Sequence, residues 1–204
     1  MRLGVALLGL LLGSALVSSG LAAQVRHGGL VVSYVDARDA EQLAAVFRAW
    51  DAAAGDLRRL GLPVPARVRI EAALNAAGFA QRTGEAAGIA AITRGATIST
   101  QRLGALAARG TLPVTIRHEA FHTAQPPGLP RWLAEGLART FSGEGSRDPA
   151  GVTGLETLSE SALSAALAGR QPARLTQAYV EATRRAAAKL RVGGWKGVFR
   201  NAGK

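Results

Sequence analysis

Two periods run through the hydrophobic pattern of this chain, one of two residues and one near 3.6. Leu30-Val31-Val32-Ser33-Tyr34-Val35 is short and rich in β-branched residues, which predicts a strand. Asp36 to Asp39 carries turn and capping types, with Asp39 the expected N-cap of the next helix. Leu43, Val46, Phe47, Trp50 and Ala54 then recur at helical spacing from Ala40 to about Leu60, where Gly61 and Pro63 stop the pattern. Arg67 to Ala72 alternates polar and apolar as a second strand, and a shorter helix is expected over Ala76 to Arg82, ending near Gly84. Ile89 to Ile92 and Ala96 to Ser99 flank Arg94-Gly95 as a hairpin does.

From there the pattern is helical. Arg102 to Arg109 reads as a weak helix or a loop. Pro113 sits where an N1 proline would start a helix, and Pro126, Pro127, Gly128 and Pro130 break that helix before a second one over Arg131 to Phe141. Ser142 to Gly154 is glycine-rich and charged, hence a loop. Leu158 to Leu167, Leu175 to Leu190 and a short piece around Trp195 to Arg200 follow as helices. Strands first and helices afterwards predict an α+β domain, its small mixed sheet packed on the helix that starts at Pro113 and its C-terminal half helical. Tyr34 reads as core, and His27 as an exposed residue near the start of the mature chain.

The N-terminus changes the picture of where this domain works. Arg2, an apolar run from Leu3 to Val17, and small residues from Ser18 to Ala23 have the make-up of an export signal cleaved after Ala22 or Ala23. Residues 24–204 would then form one periplasmic or secreted domain; a retained membrane anchor is the competing reading. The 204 residues contain no cysteine, which excludes disulfides, thiolate ligands and a cysteine nucleophile. Aromatics make up only 5% of the residues against 48% hydrophobic ones, so the core must rest on aliphatic side chains and a few aromatic anchors. The net charge of +11 favours anionic surroundings without naming a partner.

Candidate chemistry centres on His118-Glu119-Ala120-Phe121-His122, an H-E-x-x-H sequence. With 3 His and 9 Glu in the chain, about one or two shuffled chains in a thousand would contain it. On a helix the two histidines lie one above the other and can face one metal ion, while Glu119 reaches a water there without being a ligand. Ile116, Ala120 and Ala124 fall on the opposite face. Glu135, on the next helix, can supply a third ligand and leave a fourth position for water. A metzincin would need His where Gly128 stands and Gly where Gln125 stands, so that subtype is excluded.

The H-E-x-x-H run, Leu129-Pro130 and Trp132-Leu133-Ala134-Glu135-Gly136-Leu137-Ala138 together resemble the peptidase MA-like family of gluzincin zinc metallopeptidases, sharply over about Leu112 to Phe141. The resemblance implies a zincin-like fold, one Zn2+ held by His118, His122 and Glu135, Glu119 as general base, and a peptide or protein substrate. Tyr179 is the candidate donor to the developing oxyanion, with a simply packed tyrosine as the equal alternative. One hairpin strand is expected to be the sheet edge beside the cleft, where a substrate could add as a further strand. From Arg184 to Lys204 there are seven basic and no acidic residues. They form either a solvated face or a patch for an anionic envelope surface, and nucleic acid is a poor fit to an exported chain. The competing functional class is a non-catalytic, metal-stabilised envelope scaffold of the same fold.

Overall fold

The computed structural model describes residues 22–86 and 88–201, and within them five strands and seven α-helices make an α+β fold. Nearly all of the expected export signal lies outside the described residues; Ala23, at its expected end, opens the first strand. Among the described residues no helix is long and apolar enough to cross a membrane.

That first strand, β1 (Ala23–His27), is missing from the hydrophobic pattern because it is a sheet edge with only Val25 and His27 partly buried. It pairs antiparallel with β2 (Leu30–Tyr34) through a turn in which Gly28 has a φ of 56°. His27 is tied down rather than free. Its ring stacks on Phe47 at 4.5 Å, and Nε2 lies 2.9 Å from the Asp51 carboxylate, so both contacts hold the edge strand to the helix α1 (Leu43–Arg59).

The remaining strands are β3 (Val68–Ala72), β4 (Ala91–Arg94) and β5 (Thr97–Thr100), in the spatial order β1-β2-β3-β5-β4. β3 lies parallel to β2 and to β5, while β4 returns antiparallel to β5 and forms the other edge. Registers align Leu30 with Val68 and Val32 with Ile70, and Ile70 in turn with Ile98, so one face carries a continuous apolar row. Val46, Trp50, Ala53 and Leu57 of α1 join that row in a single core. The opposite side chains of β2 and β3 are partly or fully exposed, the alternation a one-sided sheet requires.

Asp39 does not cap α1. A 3₁₀ turn over Ala37–Gln42 precedes that helix, and Asp36 caps the turn by accepting from the Arg38 backbone N–H at 3.0 Å. Asp39 is fully buried and instead accepts from the backbone N–H groups of Leu103 (3.2 Å) and Gly104 (2.9 Å), with Arg102 Nε at 3.3 Å. It thus caps α3 (Leu103–Ala108), which has no capping side chain of its own. Buried N–H groups at a helix start need an acceptor from somewhere, and here it comes from 64 residues upstream. The predicted short helix appears as α2 (Ala76–Thr83), capped by Asn75 and ended by Gly84 at φ 77°.

The C-terminal half is built round α4 (Leu112–Ala124), in which Pro113 is the second residue, one position later than the expected N1. Ile116, Ala120 and Ala124 are buried in the core with α1, and Arg117 crosses to Asp56 of α1 at 2.8 Å and to the Phe141 carbonyl at 3.2 Å. Next come α5 (Arg131–Ser142), α6 (Glu160–Leu167) and α7 (Pro172–Asn201). At Gly194 (φ 57°, ψ 177°) the backbone of α7 leaves helical geometry, and the chain turns so that Trp195 reaches Phe121 (6.0 Å) and Phe141 (6.4 Å). The separate C-terminal piece expected from Trp195 is this turned-back end.

Gly136 decides how close α5 and α7 come. A Cβ there would sit 2.2 Å from the Ala182 carbonyl oxygen and 2.8 Å from the Ala186 Cβ, so the close approach this glycine permits is made with α7. Gly136→Ala should therefore cost about 3 kcal/mol of stability through overpacking. Gly197→Ala, where the added methyl meets open space, should be close to neutral. Urea unfolding of the two variants checks the contrast.

Candidate metal centre

The geometry begins with a break in the chain. Gln125 ends α4 in an extended conformation, as a residue before proline tends to. Gly128 (φ 80°) and Pro130 turn the backbone into α5. Trp132 and Leu137 of α5 are buried at 1% and 0% exposure, which fixes the rotation of the helix and turns Glu135 toward α4.

Three donors converge as a result. His118 Nε2 and His122 Nε2 stand 3.1 Å apart, and Glu135 Oε2 lies 3.4 Å from the first and 3.6 Å from the second. Ligands about 2.0–2.1 Å from a tetrahedral zinc ion are separated by about 3.3 Å, so the spacing fits such an ion. Each imidazole also has an acceptor on its far nitrogen. His122 Nδ1 is 2.9 Å from Gln125 Oε1. His118 Nδ1 faces Glu144 Oε1 at 3.4 Å, an ion-pair distance without hydrogen-bond alignment. The Gln125 contact holds the proton on Nδ1 of His122 and frees its Nε2 as a ligand, and the Glu144 charge favours a proton on Nδ1 of His118. Among the described residues His118, His122 and Glu135 are the one group of His and carboxylate side chains whose donor atoms meet closely enough for a metal.

Glu144 went unnoticed in the sequence because it sits in the Ser142–Gly154 stretch read as a plain loop. Gly143 ends α5 in the left-handed region (φ 86°) and reverses the chain. At Gly145 a Cβ would meet the Thr183 methyl at 2.6 Å, so the loop lies flat on α7. Arg139 then clamps Glu144 at 3.1 Å, pairs with Asp148 and donates to Thr183 Oγ1 at 2.9 Å. Glycines on both sides of an acidic residue, just past a ligand-bearing helix, were the available signal.

Glu119 is 5% exposed, and Thr93 Oγ1 of β4 donates to its Oε2 at 2.6 Å. Tyr179 of α7 is half-buried, with the Arg139 guanidinium 5.6 Å from its ring centre. Both line a cleft of about 500 Å³ with His118, His122, Glu135 and Ala91, Ile92 and Thr93 of β4. Every residue singled out from the sequence for this site therefore lies at one cleft, beside the edge strand of the hairpin. Tyr34 is core at 7% exposure, and His27 lies at the far edge strand. A larger groove of about 1180 Å³ between α5, α6 and α7, lined by Trp132, Leu133, Lys189 and Val192, contains none of these groups.

Electrostatics follow from two imidazoles and two acids in one buried place. Burial disfavours the imidazolium of His118, but Glu135 and Glu144 overcome it and raise its pKa to about 10. Burial likewise pushes the acids toward neutrality, yet the histidines hold Glu135 far below the usual carboxylate range and His118 holds Glu144 below it. The Tyr179 phenol is pushed up by burial and by the Glu135 charge, and so remains a neutral O–H donor. Comparison with family models, with curated proteins and with solved structures gives no match for this chain.

Without metal, the ion pairing at His118 contributes fully below its ordinary pKa of 6.5 and is lost as pH rises through about 10. The depressed acids contribute above their ordinary 4.5 and lose that contribution as pH falls. Chelator-treated protein should lose urea stability from about pH 6.5 toward pH 10. Glu135→Gln should make that alkaline decline shallower; an unchanged decline would count against the pairing.

Proposed function

We propose that this chain is an exported zinc metallopeptidase of the gluzincin type, with a zincin-like fold, resembling the peptidase MA-like family. The observation that carries the proposal is the convergence of His118 Nε2, His122 Nε2 and Glu135 Oε2 on one point of a cleft that also holds Glu119. Bound there, Zn2+ would polarise a scissile carbonyl and lower the pKa of a water molecule. Glu119 takes a proton from that water and later delivers it to the leaving amine. Tyr179, kept protonated by its surroundings, donates to the oxygen that gains charge in the transition state. The Gln125 and Glu144 acceptors keep both imidazoles aimed at the metal.

The open edge of β4 suits a peptide laid down as a sixth strand, its backbone paired with Ala91 to Arg94, which would bring the scissile carbonyl toward His118, His122 and Glu135. Pairing through the backbone reads little sequence, which suits a general peptide or protein substrate. Contact with an anionic envelope surface would fall to Arg191, Lys196 and Arg200, which are exposed. Arg184 is bonded to the Pro149 carbonyl, and Arg185 to Glu181 and the carbonyls of Leu155, Glu156 and Leu158. Those two cations hold the fold, which weakens the envelope-scaffold reading as an account of the basic stretch.

Purified protein should hold one zinc per chain, and His122→Ala should lose it. Glu119→Gln should keep the zinc while hydrolysis of a peptide library falls by a factor of about 100 or more. Equal cleavage by this variant would remove Glu119 as the base; wild-type protein without bound zinc would remove the enzyme reading altogether.

A further inference from the structure

Thr93 is the one hydroxyl side chain of the edge strand β4, and side chains alternate along a strand, so Ala91 and Thr93 share a face. From that face Thr93 Oγ1 lies 2.6 Å from Glu119 Oε2 and 3.2 Å from the Glu119 backbone carbonyl. The first is the short distance of a hydroxyl donating to an ionised carboxylate. It spans 26 residues of sequence and joins the two walls of the cleft, the strand on which substrate would lie and the helix that carries the metal ligands.

We propose that Thr93 is a positioning residue that fixes the carboxylate of Glu119 for proton transfer; this rests on the hydrolase reading above. A glutamate has three rotatable bonds, and a base on such a side chain loses rate when it wanders from the reacting water. The Thr93 bond selects one rotamer. It also makes the two carboxylate oxygens unequal: Oε2 has a lone pair engaged by the hydroxyl, so Oε1 is the better proton acceptor. The proton from water goes to Oε1, and the same oxygen returns it to the leaving amine, while Thr93 keeps its own proton throughout. Because Thr93 belongs to β4, a peptide added along that edge steadies the strand and, with it, the base. The side chain has to be a hydroxyl of this length: serine can make the bond, and valine, of the same shape, cannot.

The test compares Thr93→Val and Thr93→Ser. Valine should lower kcat by about 10- to 100-fold with KM within about twofold and zinc content unchanged, and serine should restore most of the rate. A second readout needs neither metal nor turnover. In metal-free protein Thr93→Val should lower the urea midpoint when Glu119 is present and have no such effect in a Glu119→Ala background. Wild-type kcat in Thr93→Val, a serine variant as slow as the valine one, or equal midpoint shifts in both backgrounds would overturn the role of Thr93. Wild-type protein that cuts no peptide would instead overturn the hydrolase reading, and the midpoint comparison would still report whether the bond exists.

Discussion

A carboxylate buried between two imidazoles is the constraint on which the rest of this structure depends. Glu135, Glu144 and the two histidines lie at 12–23% side-chain exposure within a few ångströms of one another. Removing such groups from water is expensive, and the expense is offset only when each charge has a partner in good geometry. The fold around them can be understood as the means of supplying those partners. α4 provides two imidazoles, α5 the acid between them, and the loop after α5 a second acid behind His118. Arg139 of α5 then grips that loop through Glu144 and Asp148 and donates to Thr183 of α7.

Rigidity comes from apolar contacts on the other sides of the same helices. α4 is held on α1 by Ile116, Ala120 and Ala124, and α5 on α7 by the glycine contact at Ala182. Phe121, Phe141, Trp195 and Phe199 form an aromatic cluster under the site, with ring centres 5.7–6.4 Å apart where they meet. A chain poor in aromatics has placed four of them directly behind the helices that carry the two histidines and Glu135. Three donors on two helices can stay within the tolerance of a metal site only if those helices cannot slide.

The sheet contributes something different. Its buried face anchors α1 and thereby α4, while its far edge, β4, stays open and forms a wall of the cleft. An open edge strand ordinarily invites unwanted pairing. Here the same edge faces His118, His122 and Glu135 across the cleft. Thr93 ties the edge to Glu119 and joins the two walls of the cleft.

The sequence by itself determined most of the elements and the three candidate donors. Periodicity and punctuation located most of the helices, including the Gly84 stop and the proline in the first turn of α4, because amphipathic spacing and caps are local. The spacing of His118, Glu119 and His122 put them on one helical turn, and the proline-rich break before Trp132 announced a second helix able to return Glu135. Tertiary structure decided what local pattern does not carry. Asp39 looked like the cap of its own helix and caps a distant one, since any nearby acceptor satisfies a buried N–H. β1 has too little apolar character to be visible, because an edge strand is held by its neighbour's backbone. Gly136, just past the turn, suggests a close approach of α5 to α4, and the structure makes that approach with α7. Glu144 and Thr93 became parts of the site only through contacts spanning 26 residues each, and no pattern along the chain encodes which side chains a fold brings face to face.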